Sequence, residues 1–219
     1  MIDEKFLKYI EKDYKEFSDK LIPNSNILGI RSNNLKLIAK EYVKENDLSL
    51  LDKELTYHEE KLVYMFILSN LKDINLIYDK LDKMVPLIDN WAVCDSLMNI
   101  KIIRKNREFF YPLINKYKTS KKEFEVRFSL IMLFHYMDEK YLDDIFNIIE
   151  SVNTDNYYSK MGLAWLICEC FIKFRDYTMN KIKDLKVDIF SYNKAIDKIR
   201  DSFRVTEEDK ILLKSYKRK

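Results

Sequence analysis

The chain has 219 residues, of which 47% are hydrophobic and 34% charged, with a net charge of +3 and only 2 glycines and 3 prolines. The glycine shortage excludes phosphate-cradling loops and the many tight turns of an all-β fold, and the apolar content excludes a disordered chain. The small positive excess neither requires nor excludes a nucleic-acid partner, because a local patch can coexist with a near-neutral total.

Apolar positions recur at three and four residues along most of the sequence, the period of amphipathic helices. Phe6, Leu7, Ile10, Tyr14 and Phe17 predict one first helix, and Leu35, Leu37, Ile38, Tyr42 and Val43 a second. Leu62, Met65, Phe66 and Ser69 predict a third, and Ile74, Ile77, Tyr78 and Leu81 a fourth. Thr56 before Glu59 and Ser120 before Glu123 have the spacing of capping boxes, and Thr206 before Asp209 is a relative of it. Pro86 and Pro112 are expected near helix starts, where a missing N–H costs least. Connections such as Lys118-Thr119-Ser120 are short and polar, and no segment reads as an interdomain linker, so one domain is expected over residues 1–219. Consecutive helices with short connections build either a solenoid of helical repeats or an irregular bundle. No strict sequence period separates the two.

The opening Met1-Ile2-Asp3-Glu4-Lys5 is charged at once, unlike a secretory leader. Apolar runs such as Leu62–Leu68 fall well short of the ~20 residues of a membrane span. The three cysteines, Cys94, Cys168 and Cys170, fit a reducing compartment. A cytoplasmic, soluble protein is expected, without membrane contact. The two histidines, His58 and His135, are far apart, and Cys168 and Cys170 are offset by two on a helical segment, so neither a metal site nor a cofactor is expected. No nucleophile elbow occurs, and Cys94 adjoins Asp95, whose charge would raise a thiol pKa.

Three segments carry more chemistry. In Asn90-Trp91-Ala92-Val93-Cys94-Asp95, Trp91 and Asp95 are four apart, so both face one way on a helix. An indole beside a carboxylate suits a cationic ligand; a core tryptophan with a solvated aspartate is the plainer reading of that pair. Arg127 precedes the apolar run Leu130–Phe134, where a guanidinium needs an anionic partner. Gly162, in Lys160-Met161-Gly162-Leu163-Ala164-Trp165, points to close helix packing or a close ligand.

Taken together, the chain resembles the DNA alkylation repair glycosylases built of HEAT-like helical repeats. The likeness covers about Ile27 to the C-terminus, with its landmarks in family order: Ile27-Leu28-Gly29-Ile30-Arg31, His58-Glu59-Glu60, Asp89-Asn90-Trp91-Ala92-Val93-Cys94-Asp95, Glu125-Val126-Arg127, Lys160–Trp165 and Lys194–Arg200. The resemblance implies an all-α fold, an α-solenoid of antiparallel HEAT-like helix pairs, C-shaped with a concave groove. It implies hydrolysis of the N-glycosidic bond of N3- or N7-alkylated purines in duplex DNA, with Asp95 as catalytic carboxylate, Trp91 and Trp165 as its aromatic partners and Arg127 on a backbone phosphate. Arg31, Lys160, Lys194 and Arg200 are the candidate DNA-binding cations, and a monomer is expected. The Leu28-Gly29 motif arrives early, leaving room for only one substantial helix before it. That departure keeps two alternatives in view: a homologue that retains the site with weak or no activity on duplex DNA, binding a nucleobase or another nucleic acid, and a helical scaffold for protein partners.

Overall fold

The computed structural model describes residues 2–219; Met1 lies outside the described residues. It is all-helical, with no strand among those residues, and its helix pairs are compatible with the expected solenoid. The chain divides into two compact units that meet in sequence between Asn106 and Arg107.

The first unit holds α1 (Glu4–Leu7), α2 (Lys12–Leu21), α3 (Ser32–Lys44), α4 (His58–Asn70), α5 (Ile74–Met84) and the short α6 (Trp91–Asp95), which runs on into 3-10 turns at Ser96–Asn99 and Lys101–Lys105. The single first helix expected over Phe6–Phe17 is broken in two. Glu11 N donates to Gly29 O (2.9 Å) instead of to the preceding turn, so the chain is extended there and re-enters a helix at Lys12. The expected helices around Leu35, Leu62 and Ile74 are α3, α4 and α5, and they bury Leu35, Ile38, Met65, Ile77 and Leu81 completely or nearly so.

The second unit holds α7 (Arg107–Tyr117), α8 (Glu123–Met132), α9 (Leu142–Ser151), α10 (Tyr157–Lys173), α11 (Arg175–Ile182), α12 (Ile189–Asp201) and α13 (Glu207–Lys214). Here α8, α10 and α12 pack side by side and start on the same side. Glu123, which opens α8, accepts from Tyr158 N at the start of α10, and Asp188, which caps α12 through Ser191 N, lies beside Thr154 and Lys160. At the far ends, Arg204 beyond α12 pairs with Glu169 near the end of α10. Phe110, Phe128, Ile131, Leu166, Ile167 and Ile196 form the fully buried core. Hydrogen bonds between successive repeats join residues 33 (Asn153–Ser120), 35 (Tyr158–Glu123), 34 (Tyr177–Asp143) and 36 (Lys186–Glu150) apart. Offsets this similar are compatible with repeated helix pairs.

Three local expectations change. The carboxylate that caps α4 belongs to Glu60, which accepts from Thr56 N (2.8 Å) and Tyr57 N (2.9 Å); Glu59 is taken by another loop. Ser120 donates to Glu125 (2.7 Å) rather than capping with Glu123, because Glu123 is drawn to α10. Pro112 sits inside α7 rather than at its start. Thr206 caps α13 as expected, accepting from Asp209 N (3.3 Å).

Candidate functional site

Trp91 and Asp95 come from the shortest helix of interest, and its start is held firmly. Asn90 is its N-cap: the side-chain oxygen accepts from Val93 N (3.0 Å), filling one of the open donors of a helix start. Asn90 Nδ2 lies 2.8 Å from Asp89 Oδ1, 3.1 Å from His58 Nδ1 and 3.3 Å from Ser25 Oγ. Asp89 in turn pairs with Lys61 (2.6 Å). The start of α6 is therefore tied to the start of α4.

Glu59, the second residue of α4, is 1% exposed. Its carboxylate accepts from the N–H groups of Leu28 (2.9 Å), Gly29 (2.8 Å) and Ile30 (3.2 Å), which supplies the bonds a buried carboxylate requires. Gly29 has φ +94°, and a Cβ there would stand 2.5 Å from Glu11 O, so the turn admits only glycine without strain. This strap, between α2 and α3, is thereby fastened to the start of α4.

Between these elements lies a cleft of about 290 Å³. Trp91 and Asp95 share its wall with Tyr14, Leu35, Leu62 and Phe66, and the polar groups His58, Glu59 and Lys36 also line it. The helical spacing of Trp91 and Asp95 is realised, and the indole, 37% exposed, offers a face to solvent. Asp95 is half-buried. Burial holds the His58 imidazole below its ordinary pKa, against the opposing pull of Glu59 and Asp89.

Arg127 and Trp165 stand in the second unit, on α8 and α10. Arg127 is 6% exposed, and its guanidinium donates to Tyr158 O (2.8 Å). A Cβ on Gly162 would lie 3.3 Å from that guanidinium, so the glycine serves close packing of α10 on α8. Trp165 packs on Phe134 with ring centroids 4.6 Å apart and lines a second, polar cleft with Cys168, Glu169, Lys198, Asp201, Ser202 and Arg204. Burial pushes the Cys168 and Cys170 thiols up to about 12, so both remain protonated. Among the described residues no cluster of three metal-ligating side chains occurs, and no helix is long and apolar enough to cross a membrane.

The candidate cations are mostly engaged. Arg31 pairs with Glu11 (2.9 Å) and lies over Tyr14, a residue of the first cleft. Lys160 is 3.9 Å from Asp188, Arg200 is 3.8 Å from Asp197, and Lys194 is half-buried on α12.

The model of the DNA alkylation repair enzyme family matches residues 2–173. The chain belongs to that family. The resemblance read from the motifs is thereby shown, and with it a role in DNA repair. No curated protein matches the sequence. The match spans α1–α10 and so includes Trp91, Asp95, Arg127 and Trp165, while α11–α13 follow it. Sequence reasoning did not foresee that Glu59 and Lys36 line this cleft or that Asn90 ties α6 to α4. Glu59 carried a signal, a carboxylate at a helix start, but that position reads equally well as a cap.

Proposed function

We propose that the protein is a DNA glycosylase that hydrolyses the N-glycosidic bond of N3- or N7-alkylated purines in duplex DNA. The observation that carries this reading is the placement of Trp91 and Asp95 on one wall of a cleft, in a chain of the DNA alkylation repair enzyme family. An N7-alkylated guanine is cationic, so it departs as a neutral base and needs no strong acid. As the bond from C1′ to the base breaks, its electron pair goes to the base and the sugar becomes an oxocarbenium ion. Asp95 stabilises that charge and takes a proton from the water that attacks C1′. The indole of Trp91 adds cation–π stabilisation of roughly 0.5–2 kcal/mol. The resemblance gives Trp165, on α10 of the second unit, an aromatic role of its own. Arg127 holds a phosphate of the DNA backbone, and Arg31, Lys160, Lys194 and Arg200 contribute to the grip.

The test is release of 7-methylguanine from methylated duplex DNA. Asp95→Asn is expected to lower the rate by about 10²–10³ with an unchanged melting temperature. Excision by the variant at the wild-type rate overturns the role of Asp95.

One observation favours a second reading, a retained site with little activity on duplex DNA: Arg31, Lys160 and Arg200 each face a carboxylate of the chain itself. Counterion release separates the two. A duplex binder loses affinity steeply with salt, and a flat response supports the second reading.

A further inference from the structure

The turn between α12 and α13 carries an aromatic side chain that takes no part in the proposed excision. Phe203 is wholly exposed, although the same turn buries an apolar side chain two residues later, at Val205. The turn is pinned on both sides. Ser202 N donates to Ile199 O (3.2 Å), and Arg204 N donates to Ser202 Oγ (3.2 Å). The Arg204 guanidinium donates to Glu169 of α10 (3.0 Å), and Thr206 caps α13. A ring held outward by a fixed turn loses little conformational freedom when it meets a partner, whereas in water it forgoes its burial. The turn follows the residues that the family model matches, so membership of the family assigns it no role.

Its surroundings point to the kind of partner. Ser202 and Arg204, on either side of Phe203, line the polar cleft of Trp165 together with Lys198, which pairs with no carboxylate among the described residues. From Lys194 to Lys219 nine lysines and arginines stand against five aspartates and glutamates, while the whole chain carries only +3. The positive excess is thus concentrated in α12, α13 and the residues after them, around an outward aromatic ring. A ring among cations fits a polyanion with an apolar interior. Duplex DNA has that structure, with phosphates outside and stacked bases within.

We propose that Phe203 is an apolar wedge for duplex DNA: its ring enters a groove and packs against a loosened base step, while Lys198 neutralises a flanking phosphate. No base is drawn into the protein, so the wedge needs no pocket. It reads the ease with which a step opens. A nucleotide that has lost its base leaves a gap in the stack, and entry there requires no unstacking. The wedge therefore favours an abasic duplex over an intact one. This goes beyond the glycosylase reading and shares with it only DNA as the partner.

The experiment is fluorescence anisotropy of the full chain with two duplexes of one sequence, one intact and one with a single tetrahydrofuran abasic nucleotide, at several salt concentrations. Wild type is expected to bind the abasic duplex about tenfold more tightly, and Phe203→Trp to keep that preference within about threefold. Phe203→Ala is expected to abolish the preference and leave the salt slope unchanged, because no phosphate contact is lost. Lys198→Gln should lower the slope by about one and keep the preference. Thermal melts verify folding of the variants. Equal binding of the two duplexes by wild type, or an unchanged preference in folded Phe203→Ala, overturns the proposal. So does self-association, read by sedimentation velocity, that Phe203→Ala abolishes while DNA binding is kept, since the turn is then a contact between copies of the chain. Release of 7-methylguanine, measured beside, separates the two readings. A preference that depends on Phe203 without excision supports the wedge and overturns the glycosylase; excision without the preference does the reverse.

Discussion

In the second unit, contacts between repeats keep a nearly constant offset, 33 residues for Asn153–Ser120 and 36 for Lys186–Glu150, and α8, α10 and α12 pack in one direction. The first unit is held together differently. There the buried side chains at the start of α4 reach back to the Leu28–Ile30 loop and forward to α6. The regular stacking leaves a core of apolar helix faces and a cleft lined mainly by charged and polar groups around Trp165. The irregular strap leaves an apolar cleft with an indole and a carboxylate on its wall. Helices broken by 3-10 turns cannot pack flush along their length. The space they leave can be used, provided every buried polar group at the break is satisfied.

If the strap organises the first unit, its glycine is the most sensitive point. Gly29→Ala is expected to cost about 3 kcal/mol, from a strained positive φ and overlap with Glu11 O; urea denaturation reads it. A loss below about 1 kcal/mol would mean that the loop re-forms without strain. Next comes Glu59→Gln, which turns an amide donor toward one of three backbone N–H groups and should cost about 2 kcal/mol. Its counterpart Glu123→Gln removes a carboxylate that accepts from the backbone N–H of Tyr158 at a half-buried position, and should cost about half as much. Equal losses would erase the contrast between the units.

Gly162→Ala should change stability by less than about 1 kcal/mol, since better helix propensity opposes pressure on the pinned Arg127 guanidinium. Smallest of all is the effect of a thiol reagent at pH 8. The native protein should show no labelling of Cys168 or Cys170, both buried with thiols pushed up to about 12, whereas urea should expose them. Labelling of Cys168 without urea would show that the wall around Trp165 opens.

How legible this was differs by residue. The apolar period identified α3, α4 and α5, because each needs a buried stripe wherever it packs. It could not foresee the break at Glu11, whose N–H is claimed by Gly29, a partner distant in sequence. Trp91 and Asp95 were legible as neighbours because four residues is about one helical turn. Glu59 and Glu60 were not separable, since both are carboxylates in the first turn and only the surrounding chain decides which one caps.

By itself the sequence determined an all-helical chain, the family to which it belongs and the pairing of Trp91 with Asp95. Those features depend on local period and on motifs of adjacent residues. The tertiary structure alone decided that the pair opens onto an apolar cleft, that Glu59 is spent on the Leu28–Ile30 strap, and that Arg127 is buried against Tyr158 and Gly162. Each of these depends on which distant backbone group reaches a polar side chain once water is excluded, and no local pattern encodes that competition.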